Sequence, residues 1–439
     1  MNKLLVFPAL FFLILVNSCE KPSDDAIILS DKIRLTAEMQ NGHVHLKWNR
    51  PYVINFNHYT LLRSTQPFST YSNPPSYPTS FPSSISRIEQ IDSTSFIDTS
   101  APLSNKLYYQ IIASGHNSIQ SNTVELTTYF NILNISVADA LIWEEQDLLL
   151  LFDRRQKKVY KYNYQTRELT DSLQLSFEPE FSALGDNGKG MELYIPGDGG
   201  VLRIYNANDF SYVDAIDLGS PVSSVVTNNN GLIFCSTSEW LSQPLKSFKR
   251  DSKSPVDEDG DWDFTRLKIS PTTREIIEIT RNIGPVDMDY YKYGNDGSFI
   301  SHSNDRYHGD HPLDYQIFRL SPDGEYIITS EYGALYNMSL TYLKQVSNYE
   351  RGFNDFCFDS QSEYIYGGNY KNKSILKYPV SGTSVDPLIS WPTLGYPIFL
   401  FMLDDEILCI ESTNSWSRNS QYYYSDLPTG IVIEKISLN

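Results

Sequence analysis

Helical periodicity is scarce in this chain of 439 residues, because few stretches carry apolar residues at the i, i+3, i+4 and i+7 spacing of an amphipathic helix. That excludes helical bundles and leaves a chain that is mostly β. Cysteine is also sparse, at four residues. Three of them, Cys235, Cys357 and Cys409, lie in apolar strand-like runs, where a free thiol behaves as a small hydrophobe. Positive charge is in deficit, with 35 Lys and Arg against 53 Asp and Glu and a formal net charge of −18. Such a surface repels polyanions, so a nucleic-acid partner is not expected. Catalytic signatures are missing as well. No G-x-S-x-G elbow, H-E-x-x-H helix, phosphate-cradling glycine loop or cysteine–histidine arrangement is present.

One long apolar run exists, Leu4–Val16, between Met1-Asn2-Lys3 and Val16-Asn17-Ser18-Cys19. It falls short of the roughly 20 residues a bilayer-spanning helix needs. A cation, a short apolar core and small residues before a cysteine form the three parts of a secretory signal. The box ending at Cys19 resembles the lipobox of bacterial lipoproteins, with Asn17 a departure from the usual small or apolar residue. The resemblance implies a signal peptide over 1–18, cleavage before Cys19 and lipidation of its thiol, with palmitate-type chains holding the protein to a membrane. The plainer alternative is an ordinary secretory signal with a chance cysteine. With Cys19 acylated, the odd number of remaining thiols cannot all pair, so no disulfide framework is expected. Residues 19–32 include Glu20-Lys21-Pro22-Ser23-Asp24-Asp25, polar enough to serve as a tether. An acidic stretch here resembles the signal for export to the outer face in some Gram-negative groups. The expected location is the outer membrane, facing the periplasm or the cell surface.

The first folded unit is expected over 33–128. Short runs of alternating pattern include His43–Trp48, Tyr59–Arg63, Ser95–Asp98, Leu107–Ala113 and Asn122–Leu126. About a hundred residues of such strands, with one Trp on an early strand, fit a two-sheet sandwich. Leu46-Lys47-Trp48, Tyr59 onward, Ser95–Thr99 and Tyr109–Ala113 resemble a fibronectin type III domain, with Leu107, or Tyr108 in the adjacent register, where the family has its corner tyrosine. The proline- and serine-rich segment 67–86 reads as a loop replacing an edge strand.

From 129 to 439 a looser unit repeats. Turn centres at Glu145-Gln146, Asp186-Asn187, Asn229-Asn230, Asp296-Gly297, Asp323-Gly324, Ser360-Gln361 and Asp404-Asp405 mostly recur at about 40 residues, the length of a propeller blade. The spacing is long and then short in the middle, which suggests an insertion in a third blade and a trimmed fourth. The count favours seven blades, with six as the alternative. Phe318–Ser330, with Ser321-Pro322-Asp323-Gly324 at its turn, resembles the hairpin of YVTN-type β-propeller repeats; Phe356–Tyr366 has the same shape. An open ring would leave two bare edges, so a strand near Phe130–Leu133 is expected to close on Ile431–Ile436.

Three groups of residues are candidates for binding. Asp257, Asp259, Asp261 and Asp263 alternate, which in extended backbone puts four carboxylates on one face, a candidate calcium cage. The plainer reading is a solvated acidic loop. His302, His308, His311 and Asp310 combine imidazole and carboxylate as zinc-like ions prefer, against a structural His–Asp bond as the alternative. Trp240, Trp262, Trp416, Tyr422, Tyr423 and Tyr424 are flat amphipathic rings in polar segments, suited to a ligand platform or simply to packing. Together these describe an anchored extracytoplasmic binding protein whose propeller face recognises a protein or a glycan. A propeller-type polysaccharide lyase or hydrolase, with carboxylates assembled around the channel, is the first alternative; a scaffold subunit of an outer-membrane assembly is the second.

Overall fold

The computed structural model describes residues 31–40, 43–68, 82–128, 131–197, 199–228, 230–238, 243–281, 283–418 and 427–438. The fold is all-β, and it divides into two compact units: residues up to Thr99 with Leu107–Leu126, and Ser100–Lys106 with Thr127 onward. Among the described residues no helix is long and apolar enough to cross a membrane.

The first unit has two sheets. Leu35–Gln40, His43–Trp48 and Ser95–Asp98 make a three-stranded sheet, and Ser83–Ile88, His58–Ser64, Lys106–Ser114, Ile119–Gln120 and Val124–Thr127 make the other. Period-two alternation buries Val44, Leu46 and Trp48, and Trp48 meets Tyr59 edge-on at 5.5 Å. A polar staple joins the two sheets: Arg63 grips Asp98 at 2.8 and 3.0 Å, and the Tyr109 hydroxyl donates to the same carboxylate at 2.9 Å. The serine-rich segment is not wholly a loop. Ser83–Ile88 pairs with His58–Ser64 as an edge strand, where serine's weak strand preference matters little because one side faces water.

The second unit contains six four-stranded antiparallel meanders and a final three-stranded sheet among the described residues. In chain order they span Val137–Gln174, Ala183–Asp217, Val222–Asp259, Arg266–Asn304, Phe318–Gln345, Phe353–Pro392 and Tyr396–Ser437. The first strands run from half-buried to wholly buried, and the fourth strands are half-buried to exposed; Phe353–Phe358 and Glu168–Gln174 are the extremes. Sheets packed face to face bury both sides of their inner strands, which accounts for continuous runs such as Leu148–Phe152. Apolar clusters bridge successive sheets throughout. The chain of clusters closes where Val137, Leu149 and Leu151 of the first sheet meet Phe399, Leu408 and Ile410 of the last. Leu133 exchanges both backbone hydrogen bonds with Ile431, at 2.9 and 3.0 Å, as the edge argument expects.

The turns are built from side-chain acceptors. Ser321 Oγ accepts the Glu325 and Tyr326 amides, and Gly324 N–H donates to the Ser321 carbonyl at 3.0 Å. Asp359 does the same work in the next meander, accepting the Glu363 and Tyr364 amides. One turn assignment fails. Asp296-Gly297 lies between the third and fourth strands of its sheet, and the turn joining that sheet's first two strands falls at 270–274. The third meander carries no insertion and the fourth is not trimmed, since both have four strands. Pro255–Asp259 is acidic and loop-like in composition. It is the outermost strand of the third meander, a position that tolerates charged side chains.

Candidate functional site

The first strands of the first five sheets and the seventh line a cavity of about 330 Å³. Buried polar side chains have to be satisfied, and here the inner strands supply charges in pairs. Arg266 lies 3.2 Å from Asp139, donates to the carbonyls of Tyr315 and Gln316 at 2.9 Å, and covers the Phe181 ring at 4.1 Å. Arg319 clamps Asp355 through two nitrogens, at 2.9 and 2.5 Å. Burial alone would raise the Asp355 carboxyl, but the Arg319 guanidinium holds it below the usual range. Arg154 and Arg281 share Glu180 at 2.9 and 2.8 Å, and both lean on Phe181.

Lys268 stands apart. It lines the same cavity two residues from Arg266, so strand alternation turns both toward it. No hydrogen bond or ion pair reaches its ammonium among the described residues, and it is only partly exposed. Burial, and then the nearby Arg266 and Arg319, push its pKa well below the lysine range. Arg418 and Asp314 interact with the same groups. Burial lifts the Asp314 carboxyl to about 6, and its Oδ2 has no hydrogen-bond partner among the described residues. Even with Asp139, Glu180, Asp314 and Asp355 counted, the cations outnumber the carboxylates. This cationic interior sits in a protein of net charge −18.

The two metal candidates do not assemble as the sequence suggested. Asp257 accepts the Phe299 amide at 2.8 Å, and burial raises the Asp263 carboxyl. The alternation breaks at Gly260, whose φ of +94° turns the chain out of the strand, so the four aspartates do not share one face. A Cβ there would meet the Tyr291 hydroxyl at 3.2 Å. The histidines separate too. His308 pairs with Asp287 at 3.1 Å, and His311 stacks on Tyr342 at 3.7 Å, while Asp310 lies exposed on the connecting segment. His302 is not on a loop but in the strand Phe299–Asn304. The structure instead joins one member of each group: Asp261 and His302, with Asp289 as a third. Asp259 lies 3.4 Å from His302.

The aromatic set is mostly undecided or internal. Trp416 packs against the cluster between the first and last sheets. Trp262 is partly buried, with its indole N–H unpartnered. Trp240, Tyr422, Tyr423, Tyr424 and Cys19 lie outside the described residues. Cys235, Cys357 and Cys409 are buried and free. The channel charges went unnoticed in the sequence because they form no contiguous motif. They were nonetheless visible as single charges lodged in otherwise apolar runs, as in Val137-Ala138-Asp139-Ala140 and Phe318-Arg319-Leu320.

No protein-family model matches the chain, and no curated protein matches it. Solved structures do resemble it. The WD40 repeats of RRP9 superpose with a TM-score of 0.53 at 11% identity, covering 71% of this chain and 97% of that one. The structure of U3-55K gives 0.51 at 11% identity, covering 70% and 98%. Hydrazine synthase from Kuenenia stuttgartiensis scores 0.48 at 12% identity, covering 72% and 98%. The likeness to the WD40 structures assigns the class of fold, an all-β protein of repeated four-stranded sheets in the manner of a β-propeller, and nothing of its ligand.

Proposed function

We propose that this chain is a lipid-anchored extracytoplasmic binding protein whose propeller takes an anionic group of its ligand into the channel beside Lys268. Lys268 carries the reading. A partly desolvated ammonium with no hydrogen bond or ion pair of its own among the described residues, flanked by two guanidiniums, is unfavourable until an anion arrives. Arg266 and Arg319 are held by their own carboxylates, and so form a preorganised wall rather than free partners. Asp139, Glu180 and Asp355 are all committed to arginines, which suits holding a ligand.

In this reading the seven sheets are seven blades, and the first unit is a fibronectin type III-like spacer. Cys19 bears the lipid, and residues 19–32 form the tether from the outer membrane. The ligand is a protein or a glycan that presents carboxylates. Calorimetric titration with galacturonate and with a short peptide carrying a single glutamate separates these sources. One of them should bind, and Lys268→Ala should weaken that binding at least tenfold while Lys268→Arg retains most of it. Equal affinity in wild type and Lys268→Ala would remove the reading. A scaffold subunit would instead bring a stoichiometric partner through purification from solubilised membranes.

A further inference from the structure

The outer strands of the third and fourth sheets meet near Asp261, Asp289 and His302, each of which offers one ligating atom within 4.8 Å of the others. His302 Nε2 and Asp289 Oδ2 are 3.2 Å apart. That is close to the separation of two neighbouring ligands on a zinc-sized ion, given bonds of about 2.0–2.2 Å. Asn304 Nδ2 sits 3.3 Å from Asp261 Oδ2 and 3.4 Å from Asp289 Oδ2; turned over, that amide presents its oxygen to the same point.

The surroundings hold the ring as metal-bound histidines are held. The other ring nitrogen, Nδ1, lies 3.4 Å from Asp259 Oδ1, so a carboxylate backs the ligating nitrogen. Tyr291 stacks on the ring at 4.3 Å, and its own hydroxyl is tied to Glu278 at 2.7 Å. The Asp289 side chain is 0% exposed, and its Oδ1, the oxygen beside the one that meets His302 and Asn304, has no hydrogen-bond partner among the described residues. A buried carboxylate oxygen left without a partner is strongly unfavourable.

We infer that Asp261, Asp289 and His302 bind one divalent transition-metal ion, with zinc preferred, and that Asp259 positions His302 behind it. The imidazole argues for zinc over calcium, whose ligands are oxygens. The ion joins the chain leaving the third sheet, through Asp261, to the third and fourth strands of the fourth sheet. Its role is to clamp two neighbouring sheets at their outer edge, away from the channel lysine.

The test uses the full chain without a polyhistidine tag, stripped with chelator and titrated with zinc, manganese or calcium. Metal content is measured by mass spectrometry, and thermal midpoint by calorimetry. One zinc per chain and a midpoint that rises with zinc and falls with chelator are expected. Asp261→Asn, at an exposed position that burial does not constrain, should weaken zinc binding at least tenfold, as should His302→Gln. Asp259→Asn should weaken it less than either. Absence of bound zinc at micromolar concentration overturns the inference, and so does binding unchanged in both ligand variants. Calcium binding that survives His302→Gln overturns it equally.

Discussion

Replacing Ile431 by alanine probes the seam where the last sheet meets the first. Ile431 is 0% exposed, pairs through its backbone with Leu133, and packs among residues of both sheets. Truncation removes three buried carbons and leaves a cavity in a closely packed cluster, a loss of about 2–5 kcal/mol in comparable cores. At a middle value of about 3 kcal/mol the thermal midpoint should fall by roughly 4–5 °C for a unit of this size. The backbone pairing survives the substitution, so the effect reports side-chain packing. Because the seam belongs to both terminal sheets, hydrogen exchange should accelerate in Val137–Trp143 as well as in Ile431–Ser437. A loss below about 1 kcal/mol, or faster exchange confined to the last sheet, would refute the closed arrangement.

Two other outcomes are expected. The Asp314 carboxyl, lifted to about 6 by burial, keeps its proton in the folded chain at pH values where the unfolded chain has lost it. Stability should therefore fall as pH rises from about 4 to about 6 and level off above, by about 3 kcal/mol at most. Asp314→Asn should flatten that window in denaturant titrations, and an unchanged slope would reassign the pH dependence to other groups. Cys19→Ala should release the protein from the membrane fraction, and retention there would end the lipid-anchor proposal.

Much of the architecture was legible because its causes are local. Turn chemistry such as Ser321–Gly324 and unbroken apolar runs such as Leu148–Phe152 mark a meander of face-packed sheets without reference to the rest of the chain. Where local preference and position disagree, the sequence misleads. Pro255–Asp259 is acidic and looks like loop, yet it is a strand because the outer edge of a meander sets few demands on its side chains. Site geometry is the least local property of all. Asp261, Asp289 and His302 are far apart in the chain, and Gly260 reverses the alternation that made Asp257–Asp263 look like one set. Arg266 and Lys268 gain meaning only when the other inner strands surround them. A charge inside an apolar strand was the one available sign.

A cationic channel that holds an anion at Lys268 would be visible in a crystal. Crystals soaked in selenate, with anomalous scattering from selenium, test it most directly. An anomalous peak within hydrogen-bond reach of the Lys268 ammonium, abolished in Lys268→Ala, is the predicted result. A channel without such a peak at saturating selenate, with the lysine paired to a neighbouring carboxylate, would contradict it.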